Sequence, residues 1–328
     1  MTEPLSAVYS SVTRLRRVWY SRPSARRYLT RPVISVGNLV VGGSGKTPIV
    51  ASLARLLIAW GERPAILTRG YARLRHVEGV LVVSDGTRVR CEVEASSDEP
   101  MMLAHALPSV PVLVSTDRYL AGRLAERAFD ATVLLLDDGF QHVQLARDVD
   151  LLVMAAADLD ERVLPTGRLR EPLTAARAAD AVLVYGEPDE ARRVQTMIGV
   201  QVSFTVKRTY VRPRLQNGSR VIAVAGIAQP ARFFEALRQN GCDVAEEIAF
   251  RDHYWFTADD VRRIAERARA LGVDQVVTTE KDAVRLERFT ARDRPRWMVL
   301  PLDVTIEPAD AFASWLRPRL RLDRTGST

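Results

Sequence analysis

A chain of 328 residues with 47% hydrophobic, 27% charged and 7% aromatic residues has enough apolar mass for two packed domains, and its balance excludes a disordered or fibrous protein. Its two cysteines, Cys91 and Cys242, lie far apart and outside any CxxC spacing, which excludes a disulfide framework or a cysteine-based zinc site and fits a reducing compartment. The net charge of +7 admits anionic partners, but arginine carries nearly all of the positive charge: lysine occurs only as Lys46, Lys207 and Lys281.

The chain opens with an amphipathic segment, predicted as a helix over about 4–20. At 100° per residue, Leu5, Val8, Tyr9, Val12, Leu15 and Trp19 share one face, Arg14 and Arg17 fall outside it, and Arg16 lies within it and must snorkel. Two readings stand open: a helix packed on its own domain, or one lying in a membrane interface. No apolar run reaches the roughly 18 residues that span a bilayer, and the N-terminus has no signal-peptide core, so the expected compartment is the cytoplasm.

From Pro32, strand-like and helix-like segments alternate. VISVG (33–37) reads as a strand, 46 to about 60 as a helix ended by Gly61, and PAILTRG as a second strand. GVLVVSDGTRVRCEVEA alternates about Asp85-Gly86 and predicts a hairpin. PVLVS, TVLLLDDG, VDLLVMAA and AVLVYG are short apolar runs of the kind that buried parallel strands show. The pattern predicts a doubly wound, mostly parallel α/β sheet over 1–212. Around TVKRTYVRPRLQNGSR it turns extended and basic, with Asn217-Gly218 marking a turn. A smaller α/β domain is expected over 213–328: RVIAVAG, a helix from Pro230 to about Asn240, DVAEEIAF, a helix from Thr257, QVVTTE and WMVLPLDV.

Chemistry enters at SVGNLVVGGSGKTPIV. The full Walker pattern has glycine five residues before the GK pair; Val40 stands there, so only GGSGKT remains. A strand precedes it and a helix follows. Gly42, Gly43, Ser44 and Gly45 let backbone N–H groups turn toward phosphate at the helix N-terminus. Lys46 is placed to reach the β and γ phosphates, and Thr47 to give a hydroxyl to Mg²⁺. TVLLLDDG ends an apolar strand in Asp137 and Asp138, the Walker B form of a metal-organising carboxylate. The base-reading N-K-x-D of GTPases is absent and TTEKDA sets Lys281 beside Asp282, so the expected nucleotide is ATP. These features give the first domain a P-loop NTPase-type fold.

VGNLVVGGSGKTP, LTRGYAR, SSDEP, LLLDDGFQH, LARDVDLLV, VLPTGRLREP, AGIAQPARFF, FRDHYWFT and TTEKDAVRL follow one another in this order. With these strings the chain resembles the tetraacyldisaccharide 4′-kinase family. The resemblance implies ATP- and Mg²⁺-dependent phosphorylation of the 4′-hydroxyl of a tetraacylated glucosamine disaccharide 1-phosphate, giving lipid IVA in lipid A biosynthesis. It implies a C-terminal domain that completes the active site, and peripheral work at the cytoplasmic face of the inner membrane through the N-terminal helix. No nucleic-acid-binding motif is present, and no nucleic acid partner is expected.

Carried onto this chain, the family's catalytic aspartate is Asp98 of SSDEP, with Glu99 beside it, and its partner histidine is His253 of FRDHYWFT. A sugar hydroxyl is a poor nucleophile, and a carboxylate supported by an imidazole can take its proton; whether Asp98 takes it or orients the hydroxyl is open. Without the family, Asp98 and Glu99 read as a solvated acidic turn and His253 as a hydrogen-bonded structural histidine. Glu99 and Glu171 of LREP join Thr47, Asp137 and Asp138 as candidate metal groups, and His142 of GFQH belongs to the nucleotide surroundings; Glu171 and His142 are equally readable as structural. Arg69 and Arg118 are candidates for substrate phosphate. Lys281 and Asp282 either cap a helix or hold the domains together. Three positions depart from the family pattern: Ser97 where glycine is usual, Val143-Gln144 where basic residues are common, and Arg168 where proline is frequent. Because Asp98 and His253 lie in different domains, nucleotide-linked closure is expected to complete the site. Two rivals leave features without a task. A P-loop ATPase that phosphorylates nothing has no use for SSDEP, LREP and FRDHYWFT. A non-catalytic lipid- or nucleic-acid-binding protein has no use for Lys46, Thr47, Asp137 and Asp138 together.

Overall fold

In the computed structural model, which describes residues 3–43, 45–71, 73–75, 77–211, 218–290 and 295–320, helix α1 (Glu3–Tyr20) leads into β1 (Val33–Asn38), a strand buried at every position. The alternation then runs α2 (Lys46–Ala59), β2 (Pro64–Thr68), β3 (Leu81–Asp85), α3 (Val93–Ser96), α4 (Asp98–Ala106), β4 (Pro111–Val114) and α5 (Arg118–Ala128). It continues with β5 (Val133–Asp137), β6 (Val149–Ala155), β7 (Ala181–Tyr185), α6 (Pro188–Ile198) and β8 (Ser203–Tyr210). A second set follows: β9 (Arg220–Ala225), α7 (Pro230–Gln239), β10 (Asp243–Ala249), α8 (Ala258–Ala270), β11 (Gln275–Thr279), α9 (Glu280–Thr290) and β12 (Arg296–Leu300). The described chain closes with β13 (Leu302–Glu307), α10 (Ala309–Leu316) and a short 3₁₀ turn.

The first sheet has nine strands in the order β13-β8-β7-β6-β1-β5-β2-β4-β3. Its neighbours are parallel except at the two edges, where β13 runs against β8 and β3 against β4. Strands that are apolar throughout need cover on both faces, and helices supply it. On one face Ile34, Val36 and Leu135 pack with Ile49, Leu53 and Leu57 of α2; on the other Leu67, Leu134 and Leu136 pack with Ala121 and Ala125 of α5. Each such leucine or isoleucine contributes about 1.5–3 kcal/mol. The second sheet, β10-β9-β11-β12, is parallel throughout and is also covered on both faces.

Three expectations are corrected. The hairpin about Asp85-Gly86 stops after one bridge, Val89 to Ser84, because the chain turns into α3 and buries Val93 there. WMVLPLDV is two strands, because Pro301 has no N–H with which to continue a ladder. At that proline the chain leaves the second sheet and returns to the first, where Phe312 and Trp315 of α10 pack edge-on against Phe204. The segment 302–320 therefore belongs to the first sheet and not to a self-contained unit running to the C-terminus. The expected boundary at 212/213, and Asn217 of the predicted turn, lie outside the described residues. Tyr210 and Leu302 face each other in the β8–β13 ladder, so the second sheet is carried between two adjacent strands of the first.

Helix α1 meets the domain through its small polar face. Ser6 donates to the Val163 carbonyl (3.1 Å) and Arg16 to the Gln141 carbonyl (2.9 Å), while Arg17 grips both oxygens of Glu171 and stacks over Phe140 at 4.3 Å. The apolar stripe is turned away: Leu5, Val8, Val12, Leu15 and Trp19 are between 58% and 67% exposed.

Candidate active site

The C-terminal end of β1 meets the N-terminus of α2 at the glycine-rich loop, the place where open α/β sheets bind ligands. Gly45 is the helix N-cap at φ 76°, and a Cβ there would strike the Tyr185 hydroxyl. That hydroxyl donates to the Gly45 carbonyl (2.8 Å), and Arg208 lies over the Tyr185 ring at 3.8 Å, so glycine lets two side chains brace the loop. Lys46 Nζ donates to Asn38 Oδ1 (2.9 Å) and pairs with Asp138 (3.3 Å). Ser44 lies outside the described residues.

The β1–β5 register sets Val36 opposite Asp137, and Thr47 Oγ1 donates to Asp137 Oδ2 at 3.3 Å. Burial, reinforced by the Asp138 charge, pushes the Asp137 carboxyl up to about 7. Its Oδ1 is buried with no hydrogen-bond partner among the described residues. An orphaned carboxylate oxygen beside a threonine hydroxyl is the hard-oxygen donor set that Mg²⁺ takes, so these residues fit the ion. Asp138 differs. Burial pushes its carboxyl up, but the Lys46 and Arg170 charges outweigh that and hold it below the usual range. Arg170 contacts it at 2.7 Å.

The other two candidate metal carboxylates have different partners. Glu171 holds α1 through Arg17, and Glu99 pairs with Lys281 (3.2 Å). Arg69 lines the cleft, whereas Arg118 and His142 are buried and stand outside its lining. Burial, with Arg118 and Arg147 nearby, depresses His142 to about 3, which keeps its ring neutral. Val143 is an apolar wall of the cleft, and Arg168 pairs with Glu161 at 2.7 Å.

Across the cleft stands a second cluster. Asp98 begins α4 after Ser97, whose φ of 77° and ψ of 176° form a conformation natural to glycine. This is the physical content of the departure from the family pattern at that position. His253 Nδ1 lies 2.8 Å from Asp98 Oδ2. Arg285 of α9 donates from Nε to Asp98 Oδ1 (2.5 Å) and from Nη2 to the other oxygen. Lys281 reaches His253 Nε2 (3.1 Å), Asp252 (3.1 Å) and Glu99 (3.2 Å), which joins the two sheets. Asp282 instead accepts from Gly226 N (2.8 Å) and Thr279 Oγ1 (2.7 Å), capping α9 against the end of β9. Both alternatives for the KD pair are thus realised, one by each residue. The Asp98–His253 pair is already joined, with Arg285 bridging α4 and α9, so its assembly needs no further approach of the sheets.

Ser97, Asp138 and His253 all sit at positive φ, at 77°, 55° and 58°. Such backbone costs about 1–3 kcal/mol each and gathers where function over-determines geometry. The sequence reading missed Asn38, Arg170 and Arg285. Arg285 had one available signal, a charge between Val284 and Leu286 on a helix that buries all three.

A cavity of about 910 Å³ joins both clusters and is walled on one side by Tyr9, Thr13, Arg16 and Arg17 of α1. The fold and this two-sided cleft define a P-loop NTPase-type phosphotransferase. Residues 1–321 match the family model of the tetraacyldisaccharide-1-P 4′-kinase, LpxK. The chain is similar to the tetraacyldisaccharide 4′-kinase of Geobacter metallireducens, 42% identical over 303 residues covering 88% of each chain. The enzyme of that name from Geobacter sulfurreducens is 40% identical over 94% of this chain and 90% of its own. The crystal structure of LpxK from Aquifex aeolicus in complex with ATP superposes with a TM-score of 0.79 at 31% identity, covering 97% of this chain and 98% of that one. The chain belongs to the tetraacyldisaccharide 4′-kinase family. It is a kinase that uses ATP and Mg²⁺ and phosphorylates the lipid A precursor at its 4′ position.

Proposed function

We propose that phosphoryl transfer takes place between the two walls of this cleft, each wall having one task. On the first, the loop amides around Gly43 and Gly45, the positive end of α2 and Lys46 hold the triphosphate tail. Thr47 and Asp137 would hold Mg²⁺, which when bound offsets charge on the phosphate oxygens. On the second, the Asp98–His253 pair receives the proton of the 4′-hydroxyl of tetraacyldisaccharide 1-phosphate. Lys281, Glu99 and Asp252 tie the walls together and keep water from the transfer.

One observation carries this reading: Asp98 and His253, 155 positions apart in the chain, meet at 2.8 Å beside the cavity that Lys46 and Thr47 also line. Asp98→Asn and His253→Gln are each expected to lose most transfer of label from ATP to tetraacyldisaccharide 1-phosphate while still binding ATP. Wild-type turnover in both variants would overturn the assignment.

The acceptor carries four acyl chains, so the enzyme must come to a bilayer. We infer that α1 makes this contact, peripherally and at the cytoplasmic face of the inner membrane. Among the described residues no helix is long and apolar enough to cross a membrane. The exposed stripe of α1 and its exposed Arg14 suit a shallow interfacial position, each inserted apolar side chain and each basic residue adding about 1 kcal/mol. That total supports reversible attachment. Because α1 also walls the cavity, a lipid-borne hydroxyl arriving along it meets the active cleft directly. Val12→Glu with Leu15→Glu is expected to abolish sedimentation with anionic vesicles; unchanged sedimentation would reject the membrane role.

A further inference from the structure

The acceptor wall holds two cations of different kinds. Arg285 is 1% exposed and commits its guanidinium to both oxygens of the buried Asp98 carboxylate. Lys281 is 19% exposed and lines the cleft, with Asp252 (3.1 Å), His253 Nε2 (3.1 Å) and Glu99 (3.2 Å) about its ammonium. Each of these partners also lines the cleft, so an ammonium with three donors can exchange one of them for an oxygen arriving there. Lys281 stands in the first turn of α9, where the helix dipole favours Glu280 and Asp282 and disfavours a cation. It is one of three lysines in a chain whose cations are nearly all arginine; Lys46 lines the same cleft, and Lys207 pairs with Glu307 (2.7 Å) outside its lining. A planar guanidinium suits a fixed fork, whereas a compact charge on a flexible stem suits a group that moves. Asp98, Glu99 and Asp252 outnumber Arg285 and Lys281 by one, so a triphosphate facing this wall is repelled unless a cation turns toward it. Across the cleft the Asp137 carboxyl, raised by burial and by Asp138, is raised further by the Glu99 charge. The carboxylate that holds Lys281 is thus within electrostatic reach of the wall that carries Thr47 and Asp137.

We propose that Lys281 is a second phosphate cation: as the acceptor's hydroxyl attacks, its ammonium turns from Asp252 and Glu99 onto an oxygen of the γ-phosphoryl group, facing Lys46 across the cleft, and offsets the charge there in the transition state. This rests on the reading above, in which transfer takes place between the two walls. The O–H bond of the 4′-hydroxyl breaks, and its proton goes to the Asp98–His253 pair. The oxygen's electron pair forms the new bond to the γ-phosphorus, and the bond from that phosphorus to the bridging oxygen breaks with its pair staying on ADP. Lys281 gives up no proton; it contributes charge alone. When the products leave, Asp252 and Glu99 take the ammonium back and the walls are tied again.

Lys281→Met is expected to lower kcat about 10²-fold or more while KM for ATP and for tetraacyldisaccharide 1-phosphate stays near the wild-type value. Isothermal titration in the presence of the acceptor gives a second readout. ADP with Mg²⁺ should bind Lys281→Met as it binds wild type. ADP with Mg²⁺ and aluminium fluoride, a mimic of the transferring phosphoryl group, should bind it about tenfold more weakly or worse. Asp252→Asn removes one tie of the bridge and keeps the ammonium, so it should retain most of the extra affinity that the fluoride confers. Wild-type turnover in Lys281→Met overturns the proposal, as does an equal loss of affinity for ADP with and without the fluoride. Loss of the fluoride's extra affinity in Asp252→Asn also overturns it, by showing a bridge and nothing more, whether or not Lys281→Met folds. The two levels separate: wild-type turnover in Lys281→Met alongside inactive Asp98→Asn and His253→Gln removes the role of Lys281 and keeps the pair. Wild-type turnover in all three removes the reading beneath it.

Discussion

On the phosphate side of the cleft, Asn38, Gly45, Lys46 and Thr47 lie at one strand end, and Asp137 stands beside them in the β1–β5 register. On the acceptor side, Asp98, His253 and Arg285 come from α4, a loop and α9, joined by contacts spanning 155 and 187 positions. Backbone geometry positions the first wall: a left-handed glycine and a helix end, both local, and the parallel pairing of β1 with β5. Side-chain charge makes the second, in which a buried carboxylate needs its guanidinium and the imidazole needs both. Removing one partner from a buried pair leaves an uncompensated charge, so the acceptor wall is the more brittle of the two.

The contrast breaks first at Lys46, which we propose to act on the transferring group itself. Lys46→Ala is expected to cost about 3–4 kcal/mol of transition-state stabilisation, read as kcat, and near-normal turnover would remove the phosphate wall from the mechanism. His253→Gln follows, with a loss of about 10²-fold in kcat. If the walls are independent its ATP affinity stays at the wild-type value; a parallel loss of affinity would show that they are not.

Asp137 sharpens the picture through pH. Burial first, and Asp138 second, raise its carboxyl from 3.8 to about 7, so the folded chain keeps a proton that the unfolded chain has released. Its contribution to stability is full below the unfolded value and is lost as pH rises through about 7. Between about pH 4 and pH 8, Mg²⁺-free wild type is therefore expected to lose on the order of 4 kcal/mol relative to Asp137→Asn, measured by denaturant unfolding. Parallel pH dependence in the two proteins would contradict the buried-carboxylate account.

The smallest effect is expected at Ser97. Its φ of 77° strains a serine, and its Oγ is buried with no partner among the described residues. Ser97→Gly should raise stability by about 1 kcal/mol with little change in kcat, the relief of strain exceeding the added freedom of the unfolded chain. A lower melting temperature would mean that the serine does something the geometry does not reveal.

The same contrast explains what could be read from the residues alone. The phosphate wall was legible because GGSGKT and LLLDDG are contiguous strings with a local physical meaning, and the parallel sheet because its strands are apolar throughout. Asp98 and His253 came only from family resemblance, since nothing local distinguishes SSDEP from an ordinary acidic turn. Arg285 was hidden by composition, as one arginine in a chain whose cations are nearly all arginine. The split of WMVLPLDV turned on Pro301 and on which sheet edge was free, a tertiary matter. The orientation of α1 was equally out of reach: the amphipathic pattern showed a stripe, but only the contacts of Ser6 and Arg17 with the domain show that the face outside the stripe is the packed one, with Arg16 reaching the domain from the stripe's edge.

The facing of Tyr210 and Leu302 across the β8–β13 ladder bears on how the enzyme can be taken apart. Both leads to the acceptor unit leave the nucleotide core side by side, as the two legs of a hairpin would. A tight turn spliced across that pair would excise the whole acceptor unit and leave β13 and α10 in place. The core left behind would keep the buried Asp98 of α4 without Arg285, so any unit grafted at that one junction has to bring a cation to the same place.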